Sequence, residues 1–277
     1  MRQVDVFRRV LSGSWDQYNQ PGSAAERRAS RKPPERKTKT SVNASRAGIS
    51  SFHLKVIAIV AMTCNHAAYL FHFQLPFPLF CILEGVGGLT FPVMAFLLTE
   101  GFRHTSNMAL YLGRLAVFAV VSQIPYGMFL GPGANVLFTL LLGLILLNLR
   151  KVPKGTTKKR AAFWIAVAVS LAVSVFFDWG VIGIIMILLA GTAETERQRA
   201  LRSPLLAAAA LGIPAVFGFA SGEIAAIPSF VYALGCAAAG GLLLFYDGSR
   251  GRPMKWFFYI YYPAHILVLG VISTIVG

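Results

Sequence analysis

Long apolar runs recur along the chain from residue 54 to its C-terminal end. A run of about 20 apolar residues can cross a bilayer as an α-helix, which satisfies its own backbone hydrogen bonds where no water is present. The runs lie at 54–73, 79–102, 114–130, 136–149, 161–177, 180–193, 204–220, 225–246 and 256–276. The sequence therefore predicts an all-α fold, a polytopic transmembrane helical bundle of about nine helices, in which 136–149 and 180–193 are short for a full span.

The composition also indicates a membrane protein rather than a soluble enzyme. Of the 277 residues, 56% are hydrophobic and only 13% are charged, whereas a soluble domain carries about 25% charged residues. The apolar residues come in blocks and not on alternating faces. We therefore expect one transmembrane domain over residues 51–277, with the lipid bilayer as its first partner.

Segments with and without basic residues alternate between the apolar runs. RKVPKGTTKKR follows the fourth run, whereas the segments before and after it, GPGAN and DWG, contain no Lys or Arg. Short cytoplasmic loops of membrane proteins carry the excess of Lys and Arg. The alternation therefore predicts a multi-pass protein of the cytoplasmic (inner) membrane, with its N-terminus in the cytoplasm and its C-terminus outside.

Residues 1–50 form a basic tail ahead of the first run. Segments such as ERRASRKPPERKTKT contribute to the formal net charge of +15. The Ser, Pro, Arg and Lys content predicts disorder, and the position before a membrane helix predicts a cytoplasmic segment that touches anionic lipid. A basic tail can also bind nucleic acid, but the adjacent membrane helix favours the lipid role, and no nucleic-acid partner is expected.

The chain contains none of the common motifs of nucleotide-binding or zinc enzymes. Cys64, Cys81 and Cys236 have neither the spacing of a disulfide framework nor that of a metal site. We interpret them as small packing residues and expect no bound metal. Any chemistry must then come from polar side chains inside the helices or at their ends, where ionisable groups usually mark function.

The first run carries Lys55, Asn65 and His66. Eleven residues make three helical turns plus about 20°, so Lys55 and His66 share one face, roughly 16 Å apart along the axis. A donor with a phosphate head and a long thin arm, such as coenzyme A, could touch both. The simpler alternatives are that Lys55 is a positive-inside anchor and that His66 is a neutral histidine bonded to a neighbouring helix.

A second cluster lies where the second run ends and the third begins. Glu100 and His104 are four residues apart and can pair on one helix face, with Arg103 between them and Arg114 at the start of the next run. A plain interfacial charge cluster is the alternative. Further along, SQIP breaks the third run and places Gln123 at lipid depth, where freed backbone groups must be satisfied internally or line a cavity.

The last run holds Tyr262 and His265 on either side of Pro263. Proline opens the helical hydrogen-bond ladder, and a second mid-membrane histidine could face His66 across a cavity; an aromatic packing helix is the alternative. Asp178 lies on an outer loop and could face an external substrate. Asn135 is expected on the same side, with ordinary helix capping as its alternative.

At these residues the chain resembles the TraX family, membrane proteins linked to N-terminal acetylation of conjugative pilin. The similarity covers about residues 54–272. The matching stretches are LKVIAIVAMTCNH, FPVMAFLLTEGFRHTSN, YLGRLAVFAVVSQIPY, NVLFTLLLGL, DWGVIGI and FYIYYPAHIL. The family looks like the larger superfamily of integral-membrane acyltransferases, in which a basic residue and a histidine share a helix. The family usually has Asp-His where this chain has Asn65-His66, and Asn can orient an imidazole but cannot raise its basicity as Asp does.

The resemblance implies an acetyltransferase that uses acetyl-CoA as donor and an amine or hydroxyl of a pilin or surface glycan or lipid as acceptor. His66, Asn65, His265 and Glu100 would be catalytic. Lys55, Arg103, His104 and Arg114 would hold donor phosphates, and Gln123, Asn135, Asp178 and Tyr262 would face the acceptor. A secondary transporter and a non-catalytic assembly factor for a pilus or surface polymer remain alternatives, and the oligomeric state stays open.

Overall fold

The computed structural model describes residues 48–151, 157–253 and 255–276; most of the predicted tail lies outside them. The described residues form ten helices, named here in chain order. They are α1 (Ser51–Leu70), α2 (Phe77–Gly87), α3 (Thr90–His104), α4 (Met108–Phe129), α5 (Val136–Lys151), α6 (Thr157–Ser174), α7 (Gly180–Gly191), α8 (Glu196–Ala220), α9 (Ala226–Leu243) and α10 (Lys255–Val276).

Each of the nine predicted runs corresponds to helix, and the second run is divided into α2 and α3 by a break at Gly88 and Leu89. In the described part of the chain, five stretches are long and apolar enough to cross a membrane: the α2–α3 stretch, α4, α8, α9 and α10. α1 has the length, but Lys55, Asn65 and His66 make it less apolar. The all-α prediction is confirmed, and the chain is a multi-pass membrane protein.

The short helix α7 lies in the centre of the bundle, packed against α3, α5, α6 and α8. Ile184, Met186 and Ile187 are completely buried there. Its flanking helices, and not lipid, therefore surround most of the apolar surface of this 12-residue helix.

Glycines bring α2 against the backbones of α1 and α9. A Cβ at Gly235 would overlap the carbonyl oxygen of Gly85, and one at Gly88 would overlap the carbonyl oxygen of Tyr232. On the other side of α2, a Cβ at Gly87 would lie 2.7 Å from the Cβ of Asn65. Small residues allow this close approach, which supplies packing where the hydrophobic effect cannot drive association.

The two ends of the bundle differ in composition. The basic end comprises the loops 104–108, 191–196 and 244–253 and the start of α1. The segment before α1 is tied to the α9–α10 loop, because Ile49 N donates to Phe245 O at 2.8 Å. At the opposite end the α4–α5 and α6–α7 loops pair, because Asp178 N donates to Ala134 O at 2.8 Å. The helix α10 packs on both α1 and α4.

Candidate functional site

Two histidines join α1 to α10 inside the bundle. His66 Nδ1 lies 2.7 Å from His265 Nε2, and both side chains are at least nine-tenths buried. Tyr261 stacks on the His265 ring, nearly parallel at 5.1 Å between centroids. One turn away, Tyr261 Oη and Thr63 Oγ1 lie 2.8 Å apart. The two helices are therefore held together by two polar contacts at adjacent turns.

The partners of the two rings fix where their protons lie. His265 Nδ1 is 2.9 Å from the Tyr261 carbonyl oxygen, which can only accept, so this nitrogen carries the hydrogen. Burial in the membrane favours neutral rings, so His265 Nε2 is bare and accepts from His66 Nδ1–H. The remaining nitrogen, His66 Nε2, then has a free lone pair, and it has no hydrogen-bond partner among the described residues.

Asn65 does not contact the neighbouring imidazole. Its Nδ2 donates to Glu84 Oε1 on α2, at the long distance of 3.5 Å. The orienting role predicted for Asn65 therefore belongs geometrically to His265. Glu84 was not predicted as a site residue, although a carboxylate inside an apolar run is a signal by itself.

Three cations lie at the basic end, and two of them contact α10. Lys55 Nζ lies 5.5 Å from the Phe258 ring centroid, and Arg114 on α4 interacts with Tyr259. Arg250, in the α9–α10 loop, interacts electrostatically with Lys55. Within the described residues none of the three forms a salt bridge. The basic end beside α10 therefore carries positive charge that no described carboxylate compensates.

Glu100 forms its ion pairs with residues other than His66 and His265. It pairs with Arg199 of α8, which is 1% exposed, and with His104 at 3.3 Å, as the four-residue spacing allows. Tyr246 Oη also donates to Glu100 Oε1 at 3.0 Å. The expected catalytic role of Glu100 therefore has no geometric support, because its oxygens are taken by a structural network. Sequence reasoning missed Arg199, which is one of several basic residues in a loop-like segment.

Arg103 is also engaged. Its Nη1 lies 2.9 Å from Glu196 Oε1, and its Nη2 donates to Ala193 O at 3.2 Å. Arg103 and His104 are thus paired with carboxylates, and only Lys55 and Arg114 of the four predicted phosphate ligands are left without one.

Gln123 and Asn135 form a closed network between α4 and the start of α5. Asn135 Nδ2 donates to Ala119 O at 2.8 Å and to Gln123 Oε1 at 2.9 Å, and its Oδ1 accepts from Leu137 N at 3.0 Å. Gln123 Nε2 donates to Gly133 O at 2.8 Å. Every amide group is used within the protein, so the capping alternative describes Asn135 better than an acceptor site.

Asp178 sits in a strained turn at the opposite end. Trp179 has φ 65° and Gly180 φ 41°, and a bulky residue in the left-handed region is uncommon outside functional or tightly constrained sites. Thr139 Oγ1 donates to the Asp178 carbonyl oxygen at 2.5 Å. Burial raises the pKa of the Asp178 carboxyl to about 6. Asp178 is half-buried, so its carboxyl is only partly open to an external substrate.

Tyr262 lies beside the histidine pair. Its ring centroid is 6.4 Å from that of His66 and 5.7 Å from that of His265, and the side chain is 2% exposed. Among the described residues no three His, Cys, Asp or Glu side chains are grouped so that they could hold a metal ion.

The fold and the site define a multi-pass membrane protein with a buried polar centre between its first and last helices. The model of the family described as TraX protein matches residues 50–273, and the chain belongs to this family. A similar protein, described as probable fimbrial assembly protein FimC, serogroup H1, of Dichelobacter nodosus, is 36% identical over 243 residues, which cover 79% of this chain and 94% of that protein. No solved structure matches the chain.

Proposed function

We propose that this TraX-family protein is an acyltransferase of the inner membrane that moves an acetyl group from acetyl-CoA to an amine or hydroxyl. The observation that carries the proposal is the hydrogen-bonded chain from His66 through His265 to the Tyr261 carbonyl. This chain fixes the tautomer of His66 and leaves its Nε2 without a hydrogen. A neutral imidazole with one bare nitrogen, oriented in this way, can act as a general base.

The reaction balances with this one base. His66 Nε2 takes the proton of the acceptor N–H or O–H as that atom attacks the thioester carbonyl carbon. The carbon–sulfur bond then breaks, and the departing thiolate of coenzyme A takes the proton from His66. His265 accepts the hydrogen bond of His66 Nδ1–H throughout and stabilises the imidazolium that forms between the two transfers.

The basic end of the bundle is suited to bind the phosphates of acetyl-CoA. Lys55 and Arg114 have no carboxylate partner among the described residues, whereas Arg103 is paired. Lys55 lies roughly 16 Å along α1 from His66, a distance that the pantetheine arm of coenzyme A can span. We therefore assign donor binding to Lys55 and Arg114 and not to Arg103 or His104.

The relative from Dichelobacter nodosus is named for fimbrial assembly, which supports a pilus-related role and makes pilin a natural acceptor; a surface glycan or lipid has the same reactive groups. The same name also favours a second candidate, an assembly factor without chemistry. That candidate predicts that His66→Ala leaves pilus assembly intact, because an assembly surface does not need a free imidazole nitrogen.

Purified protein in lipid vesicles tests the proposal with radiolabelled acetyl-CoA and two probe acceptors, a short peptide with a free N-terminal amine and a simple sugar. We expect label on at least one acceptor, a fall of about 10²-fold or more in His66→Ala, and no change in the control His72→Ala, whose side chain is exposed.

The donor site has its own readout in the same assay. Lys55→Ala and Arg114→Ala should raise the KM for acetyl-CoA about tenfold each, because a charge-assisted bond is lost, with kcat nearly unchanged. Lys158→Ala, at an exposed position, is the matched control. A wild type that neither binds coenzyme A nor labels an acceptor would contradict the acyltransferase and favour the assembly factor.

A further inference from the structure

The α9–α10 loop is hydrogen-bonded to the residues that begin α1. Asp247 N donates to Ile49 O at 3.2 Å. Two residues further along both segments, Ser51 N donates to Ser249 O at 2.9 Å. Within the loop, Asp247 Oδ1 accepts from Ser249 N at 2.7 Å. These backbone bonds hold the loop beside the first turn of α1.

A glycine brings the next residue of the loop onto α1. Gly251 has φ 65°, and a Cβ there would lie 2.7 Å from the Cβ of Phe52. Glycine is therefore required both for the conformation and for the contact. Arg250 directly precedes this contact and directly follows the residue bonded to Ser51. Its backbone is thus level with the first residues of α1.

Arg250 consequently lies about one helical turn beyond Lys55, on the side away from His66. Ser51 and Lys55 are four residues apart, roughly 6 Å along α1. The Arg250 side chain is exposed and forms no salt bridge with a described residue. Arg250 and Lys55 interact electrostatically, and like charges repel. An anion bound at both cations would relieve this repulsion.

Coenzyme A has a second phosphate in the right place for this cation. Its diphosphate joins the pantetheine arm to the ribose, and a phosphate monoester on the ribose lies one sugar farther from the thiol. With the thioester at His66 and the diphosphate at Lys55, the ribose phosphate reaches the level of Arg250.

We propose that Arg250 binds the ribose phosphate of the acyl donor and makes the protein selective for donors that carry it. A guanidinium group can bind a phosphate through two parallel hydrogen bonds. This inference rests on the proposed acyltransferase function and adds to it the residue that selects the donor.

The acetyl thioester of dephospho-coenzyme A tests the assignment, because it lacks only the ribose phosphate. In the vesicle assay the wild type should have a KM about tenfold higher for this donor than for acetyl-CoA, with kcat within twofold. Arg250→Ala should raise the KM for acetyl-CoA about tenfold and leave the KM for the dephospho donor within twofold. The preference for the ribose phosphate should therefore disappear in this variant.

Two control variants separate this contact from other effects of charge. Lys55→Ala should raise the KM for both donors, because both carry the diphosphate. Arg202→Ala removes one positive charge from an exposed position near the start of α8 and should keep the tenfold preference. Arg250→Ala should unfold at the wild-type temperature, since its side chain is exposed.

The possible failures of the inference and of the proposed function are distinguishable. If the wild type uses both donors with equal KM, or if Arg250→Ala keeps the tenfold preference, the inference is overturned alone. An equal rise in KM for both donors in Arg250→Ala would mean that Arg250 acts through the diphosphate or through lipid phosphates. If the wild type transfers acetyl from neither donor, the proposed function is overturned and the inference falls with it.

Discussion

At the scale of single residues, the important feature is that a second histidine orients the His66 ring, a task that a carboxylate performs in many other proteins. A carboxylate beside an imidazole fixes its tautomer and supports positive charge. His265 fixes the tautomer of His66 in the same way, because the Tyr261 carbonyl occupies its other nitrogen. His265 contributes no formal charge, so His66 is oriented without a carboxylate bonded to its ring.

The dependence of His66 on His265 can be measured. His265→Ala removes the acceptor for His66 Nδ1–H and should lower kcat about 10²-fold, with the KM for acetyl-CoA little changed. His265→Gln offers a side-chain oxygen as substitute acceptor and should retain more activity than the alanine variant. Equal kcat for wild type, His265→Ala and His265→Gln would show that His66 needs no orientation by α10.

Residue identity alone predicted part of this site. His66, His265 and Tyr262 were identifiable because polar residues are costly in apolar runs. The hydrogen-bond and ion-pair partners of the other polar residues could not be predicted from the sequence. Asn65 contacts Glu84 because α1 packs on α2. Glu100 pairs with Arg199 because α3 packs on α8. A sequence shows which charges enter the bundle, whereas tertiary contacts decide which of them are neutralised.

At the scale of helices, the nine apolar runs could be located because spans and loops differ sharply in composition. The break between α2 and α3 could not, because Gly88 and Leu89 lie inside one continuous apolar run. Gly88 keeps a right-handed helical conformation, so the glycine there serves the close contact with α9 and not a turn.

The glycine crossing makes a direct prediction. Gly235→Ala would overlap the Gly85 carbonyl oxygen and should destabilise the protein by about 1–3 kcal/mol or more, as overpacking does. Gly241→Ala in the same helix meets nothing within 4 Å and should be neutral or stabilising by about 0.5–1 kcal/mol. Thermal unfolding in detergent measures both, and equal midpoints would contradict the close contact.

The hydrogen bonds of Asn135 lead to a second prediction about stability. Asn135→Ala removes a donor from Ala119 O and from Gln123 Oε1 and leaves Leu137 N without its side-chain acceptor, and it should cost about 1–3 kcal/mol. Asn107→Ala is the control, since Asn107 is an exposed helix cap that accepts from Leu110 N alone; it should cost about 1 kcal/mol or less. If Asn135→Ala instead keeps wild-type stability and raises the KM for an acceptor, Asn135 belongs to the acceptor site.

At the scale of the whole molecule, the two ends of the bundle differ in charge. Among the described residues Lys55, Arg114 and Arg250, which form no salt bridge, lie at the basic end, and Asp178 and Glu84 lie toward the opposite end. Such an arrangement suits an anionic donor that approaches from one side and an acceptor that approaches from the other. It requires the two ends to face different compartments, which the alternation of basic loops predicts.

The sidedness can be tested by cysteine labelling in intact cells. The native cysteines are free thiols and are first replaced by alanine, after which one cysteine is introduced at Lys158 or at Ser221, both exposed. If the nine runs each cross the membrane and the basic end is cytoplasmic, a membrane-impermeant maleimide should label Ser221→Cys in intact cells and Lys158→Cys only after permeabilisation. Labelling of both positions from the same side would mean that one of the runs between them fails to cross. The short helix α7 lies between the two positions and is the run expected to fail. Labelling with the two sides exchanged would keep the bundle but turn the donor site outward, where acetyl-CoA is absent, and the proposed reaction could not proceed.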